Sequence, residues 1–122
     1  MNLKFENFGK VLVVNVNELK FTNIFASDFR DKIESLINEG NYFILINLEK
    51  VSYMDSSGLG AVISSFNHLN DTAITNEVKS GMAICGLNKS VEFLFSMLRI
   101  NGIIEIFDSK DIAIGIMSQK ID

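Results

Sequence analysis

Met54-Asp55-Ser56-Ser57-Gly58-Leu59-Gly60 is the stretch on which the reading of this 122-residue chain turns. It follows the apolar run Tyr42–Leu48 and precedes Leu59, Val62, Ile63, Phe66 and Leu69, which recur at helical spacing. A strand therefore runs through this stretch into a helix. Asp55 and Ser56 are both N-cap types, because a short side-chain oxygen can accept from the free amides of a first turn. Gly58 and Gly60 then fall in or beside that turn, where each costs about 1 kcal/mol relative to alanine. Bare backbone at such a place implies close approach by a neighbouring element or by another molecule.

Outward from the stretch, short apolar runs alternate with amphipathic segments. Leu3–Phe8 and the β-branched Val11–Val16 flank Asn7-Phe8-Gly9-Lys10, which has turn chemistry, and together they predict a hairpin. Asn17–Asn23 reads as a polar connection. Phe25, Phe29, Ile33, Leu36 and Ile37 predict a helix that stops at Gly40, and Tyr42–Leu48 reads as a strand buried on both faces. Asn70–Gly81 reads as a loop or a frayed extension of the motif helix. Met82–Cys85 is another buried strand ended by Gly86. Asn88 caps a third helix with the core face Val91, Leu94, Phe95 and Leu98, ended by Gly102; Phe93 and Met97 read as spare core contact beside that face, with a partner surface as the alternative. Ile103–Phe107 is a last strand, and Ser109–Gln119 a capped terminal helix. The order β-β-α-β-α-β-α-β-α predicts one α/β domain over residues 1–122, with a mixed, mostly parallel sheet and about four helices.

Composition restricts function more than it suggests one. Apolar residues make up 48% and charged residues 21%, an ordinary globular balance, and a net charge of −4 offers no basic footprint for nucleic acid or anionic lipid. Cys85 is the single cysteine, so no intrachain disulfide can form. The N-terminus lacks a signal-peptide h-region, and no apolar run reaches the roughly 20 residues of a membrane span. A cytoplasmic protein is expected.

Enzymatic chemistry finds little support. One histidine, His68, and one cysteine cannot make an ordinary structural zinc site. Ser56 or Ser57 as a nucleophile needs a base. His68 lies twelve positions along the same helix from Ser56, about 18 Å at 1.5 Å per residue, and reads as a solvated helix residue. Neither the Gly-x-Ser-x-Gly elbow nor a P-loop is present. Local chemistry leaves two readings open. Either Asp55 or Ser56 only caps the helix while the glycines relieve crowding against the sheet, or Ser56 is a regulated phosphoacceptor at a helix N-terminus that favours added phosphate.

Val51-Ser52-Tyr53-Met54-Asp55-Ser56-Ser57-Gly58-Leu59-Gly60 resembles the signature of STAS-domain anti-sigma-factor antagonists. Ile46-Asn47-Leu48 before it, Met82–Gly86, the helix from Asn88 and Arg99–Ile103 also fit, so the likeness covers nearly the whole chain. The resemblance implies that Ser56 is phosphorylated by an anti-sigma factor that is also a serine kinase, and that a serine phosphatase reverses this. It implies that Asp55 assists recognition or transfer, and that Ser57, Gly58, Leu59 and Gly60 shape a docking surface. The chain itself would be a partner-binding protein, not an enzyme, without cofactor, nucleic acid or membrane; ATP and magnesium would belong to the kinase. A monomer is expected, with a dimer as the alternative. The chain departs from the family at Leu19–Asn23, which has no aspartate where members often carry a Leu-Asp pair, and at Asn70–Ser80, which is longer than usual. The other readings are a STAS scaffold in another partner-switching pathway and a small-ligand or nucleotide-binding domain.

Overall fold

In chain order, the computed structural model, which describes residues 2–121, places β1 (Leu3–Phe8), β2 (Val11–Val16), β3 (Lys20–Phe21), α1 (Asn23–Asn38), β4 (Phe43–Asn47) and β5 (Tyr53–Met54). There follow α2 (Ser56–Asn76), β6 (Gly81–Cys85), α3 (Lys89–Met97), a 3-10 turn (Ile100–Gly102), β7 (Glu105–Phe107) and α4 (Lys110–Gln119). The β-branched and aliphatic runs form one five-stranded sheet in the order β1-β2-β4-β6-β7. Only the β1–β2 hairpin is antiparallel; β2–β4, β4–β6 and β6–β7 are parallel. This is the mixed, mostly parallel sheet that the alternation of strands and helices predicts.

Alternation along each strand sends side chains to two cores. Leu12, Val14, Ile44, Ile46, Met82 and Ile84 face α1, α2 and α3, whereas Val11, Val13, Phe43, Leu45, Ala83 and Cys85 face α4. β4 is buried along its whole length because helices cover both of its faces. The exposed edge strand β1 is shielded in part by cations, with Lys32 Nζ 5.7 Å from the Phe5 ring centroid and Lys110 Nζ 6.0 Å from that of Phe8.

The structure corrects the sequence reading in three places and decides an open one at Asn70–Gly81. The connection Asn17–Asn23 contains β3, which pairs in parallel with β5 as a separate two-stranded sheet. Asn70–Asn76 is continuous helix, held by buried Leu69 and Ala73, and it stops at Glu77 in the left-handed conformation (φ 54°) rather than at a glycine. α3 ends at Met97, five residues before Gly102, because Arg99 takes φ 58° and turns the chain into the 3-10 segment. On α3, Val91 and Phe95 are buried and Leu94 partly so, but Leu98, expected in the core, is half exposed; Phe93 and Met97 are not core contacts.

Candidate functional site

The start of α2 is built from behind by β3. Leu19 O accepts from Ser52 N–H (2.9 Å), Tyr53 N–H (3.1 Å) and Ser52 Oγ–H (3.0 Å), which fixes the register of β5 against β3. Asp55 N–H then reaches Phe21 O at 3.4 Å. The Phe21 ring is fully buried and packs edge-on to Phe25 and Phe29 of α1, with centroids 4.9 Å away in both cases. The connection that reads as plain linker is thus the seat of the motif. Its two-residue strands are too short to show a period.

Asp55 is the cap. Its backbone is extended, its Oδ1 accepts from Gly58 N–H at 3.0 Å, and its carbonyl accepts from Leu59 N–H at 3.1 Å. That choice leaves Ser56 as the first helical residue, exposed, with its hydroxyl making no hydrogen bond among the described residues. The two glycines separate by role. A Cβ at Gly58 would lie 2.3 Å from Phe21 O and 2.8 Å from Phe21 Cδ1, so Gly58 is bare because β3 presses on it. A Cβ at Gly60 would meet nothing within 4 Å, so its bare backbone faces open space. Ser56, Ser57 and Gly60 are exposed and Asp55 half-buried, whereas Gly58 and Leu59 are buried and shape the surface only from beneath.

The neighbouring serines open on different ground. Ser56 borders a groove of about 470 Å³ between α2 and the end of α3, lined by Leu59, Gly60, Ile63 and Leu98 with Ser64 and Asn67. Ser57 borders a groove of about 420 Å³ towards α1, with Asn23, Ser27 and Arg30 on its wall. Arg30 Nε lies 3.7 Å from Glu34 and 3.8 Å from Asp31. The first groove is the more apolar of the two. α3 is held beside the motif by Asn88 Nδ2–H donating to Val51 O at 2.9 Å and Ser90 Oγ–H to Ser52 O at 3.1 Å. Leu98 escapes a sequence reading because its spacing matches the buried face; the only cue is the helix stop at Arg99.

Several polar side chains away from the motif have structural partners. His68 is half-buried, not simply solvated: Nε2 lies 2.9 Å from Asn38 Oδ1 and Nδ1 3.8 Å from Glu34 Oε1, which ties α2 to α1. At the ends of the central strands, buried Asn47 donates through Nδ2 to Asn15 Oδ1 (2.9 Å) and Glu49 Oε1 (3.3 Å). Its Oδ1 accepts from Glu49 N–H (3.2 Å) and lies 3.6 Å from Cys85 Sγ. Asn15 in turn donates to Glu6 Oε1 at 2.8 Å, and Lys110 Nζ reaches the same oxygen at 3.2 Å. The hydrogen bonds from Asn15 and Lys110 hold the Glu6 carboxyl below its ordinary value. Burial, reinforced by the Glu49 charge, pushes the Cys85 thiol up to about 11, so it is no thiolate at neutral pH. Among the described residues no cluster of three histidine, cysteine or acidic side chains is placed to hold a metal, and no helix is long and apolar enough to cross a membrane.

A sequence model of the STAS domain matches residues 4–113. Among solved structures, a Thermotoga maritima protein assigned as an anti-sigma factor antagonist superposes with a TM-score of 0.84 at 19% identity, over 95% of this chain and 94% of that one. The anti-sigma factor antagonist SpoIIAA in its unphosphorylated form gives 0.71 at 19% identity, over 97% and 98%. The phosphorylated form of SpoIIAA, a Bacillus cell-fate determinant, gives 0.70 at 20% identity, over 93% and 97%. The murine anion transporter Slc26a9 contains the same fold, with 0.71 at 13% identity over 93% of this chain but 18% of its own. Identities this low speak for the fold alone. With a family match that runs from β1 into α4, on a sheet whose β4–α2 junction carries the Asp-Ser-Ser-Gly motif, the chain belongs to the STAS-domain family.

Proposed function

We propose that this protein is an anti-sigma-factor antagonist that binds a serine-kinase anti-sigma factor and is switched off when that kinase phosphorylates Ser56. The observation that carries the reading is the placement of Ser56. It is the first residue of α2, exposed, free of the capping bond that Asp55 supplies, and bordered by an open groove. The likeness to SpoIIAA, solved with and without phosphate, supports it. On this reading a serine phosphatase restores the unmodified form. The protein is a substrate and binding module rather than an enzyme, a monomer acting in the cytoplasm, and ATP and magnesium are the kinase's.

Phosphorylation adds about −1.5 to −2 charges at neutral pH. At Ser56 the new charge stands next to the Asp55 carboxylate and must be desolvated when a partner covers it. The α2 N-terminus offsets part of this in the free protein, which favours the modified but unbound state. A loss of about 3 kcal/mol weakens binding more than about a hundredfold, enough for a switch.

The serine kinases of the source genome, purified singly and incubated with this protein and ATP–magnesium, provide the test. Mass spectrometry should find one phosphate, on Ser56, that Ser56→Ala abolishes. Ser56→Ala should bind that kinase constitutively and Ser56→Asp should not. Equal binding by Ser56→Asp and wild type rejects the switch, and nucleotide binding by the isolated protein moves weight to the ligand-binding reading.

A further inference from the structure

At the opposite pole from the motif, where β2, β4 and β6 begin, the chain leaves a cleft of about 550 Å³. Three connections wall it: Gly9 and Lys10 of the β1–β2 turn, Gly40 and Asn41 between α1 and β4, and Val78 and Lys79 between α2 and β6. The volume is in the range of small-molecule sites. α2 spans 21 residues, so its far end lies about 30 Å from Ser56 at about 1.5 Å per residue. Whatever binds there is independent of the Ser56 reading.

Charge and apolar surface are sorted within this region. Lys10 and Lys79 are exposed, no acidic residue lines the cleft, and neither lysine makes an ion pair among the described residues. In a chain of net charge −4, two cations without a carboxylate on the same wall are a local reversal of sign. The rest of the wall is largely apolar. Tyr42 and Phe43 enter it, and the Tyr42 hydroxyl oxygen accepts from Asn76 Nδ2–H at 3.2 Å. Phe43 and Lys79 also line a second cleft, of about 320 Å³, which continues past Ala83 and Met117 to the Lys120–Glu105 ion pair. Phe43, Ala83 and Met117 belong to one apolar cluster, with Tyr42 and Ile121 packed on it. An apolar path therefore leads from the two lysines into the second cleft.

We infer that the two clefts form one site for an amphipathic organic anion, with a carboxylate or phosphate head beside Lys10 and Lys79 and an unbranched apolar body laid over Phe43 towards Met117. Lysine ammoniums select charge rather than the shape of the head, because they lack the fixed fork of arginine. Shape selection falls to the body, which must be slim enough to pass Phe43 and apolar enough to leave water for Ala83 and Met117. A small inorganic anion gains only an attraction that solvent and salt screen at exposed lysines. A neutral apolar molecule leaves both lysines unused. The site needs head and body together.

The probes are n-octanoate and n-octyl phosphate, each titrated into the full, isotope-labelled chain and followed by backbone amide chemical shifts. Shifts should concentrate at Lys10, Gly40, Lys79 and Gly81 and saturate with a Kd below about 1 mM. The tighter of the two names the head. Acetate and n-octanol, which carry the head or the body alone, should each bind at least about tenfold more weakly. Lys10→Gln/Lys79→Gln should weaken the octyl probe about tenfold without changing the melting temperature of the free protein. Lys50→Gln/Lys89→Gln makes the same change in net charge at exposed positions on the motif side, and should alter binding less than about twofold. No saturating shift with either probe at about 10 mM overturns the inference. So do shifts scattered over the surface, equal losses in the two double variants, or acetate or n-octanol binding as tightly as the octyl probes.

Discussion

Gly58→Ala and Gly60→Ala differ by two positions in one helix and should have opposite effects. At Gly58 the added methyl meets Phe21 O at 2.3 Å, about 1 Å inside an ordinary carbon–oxygen contact, and Phe21 Cδ1 at 2.8 Å. The obstructing oxygen is backbone and cannot rotate away. Either α2 or β3 must shift by about 1 Å, against the 3.4 Å bond from Asp55 N–H and the Phe21–Phe25–Phe29 ring cluster. Overpacking of this kind costs about 3 kcal/mol at its upper end, and alanine's helix preference returns about 1, a net loss of about 2 kcal/mol. At Gly60 nothing lies within 4 Å, so the same preference acts unopposed and stabilises by about 0.5–1 kcal/mol. With a urea slope of about 1.5 kcal/mol/M, the two midpoints should separate by about 2 M. The chain has no tryptophan, so far-UV circular dichroism is the probe. Shifts in the same direction, or a Gly58→Ala midpoint indistinguishable from wild type, would refute the close-contact argument.

Two further outcomes follow from the same region and its core. Asp55→Ala removes the cap bond to Gly58 N–H and should destabilise by about 1 kcal/mol, whereas Asp55→Asn, which keeps a side-chain oxygen there, should restore most of it in urea titrations. Cys85 should react with a disulfide reagent at pH 8 only as fast as the protein unfolds. Its folded value of about 11 stands above the ordinary 9.0, so its share of stability is present below pH 9 and is lost as pH rises from about 9 to 11. That share is about 3 kcal/mol, and Cys85→Ala should flatten the alkaline limb of a stability–pH profile.

Most of the architecture was legible because burial leaves a period. Val11–Val16, Tyr42–Leu48 and Met82–Cys85 are nearly continuous apolar runs, broken only by Asn15 and Asn47, because helices cover both faces of their strands, and α1 shows its stripe from Phe25 to Ile37. What stayed hidden lacks such a period or uses an unusual stop. β3 and β5 are two residues each, held by the Leu19 carbonyl and not by side-chain pattern. α2 and α3 stop at Glu77 and Arg99 in left-handed conformations where glycine is the usual cue. Of the two readings of Asn70–Gly81, loop or helix extension, the extension therefore holds as far as Asn76, and α3 fell short of Gly102.

The site divides in the same way. Helical phase was readable: at 3.6 residues per turn Gly58 and Gly60 stand about 200° apart, and Ser56 and Ser57 about 100°. Phase says that like residues face different directions but not what each direction meets. Gly58 is filled by Phe21, 37 positions earlier, and Ser56 looks onto Leu98, 42 positions later. Both contacts depend on elements whose local sequence misleads, one read as linker and the other as core. The motif therefore named Ser56, while the tertiary fold made the ground beside it apolar. The two serines thus differ in what lies beside them: Ser56 borders the more apolar ground with Leu98, and Ser57 the polar groove with Arg30.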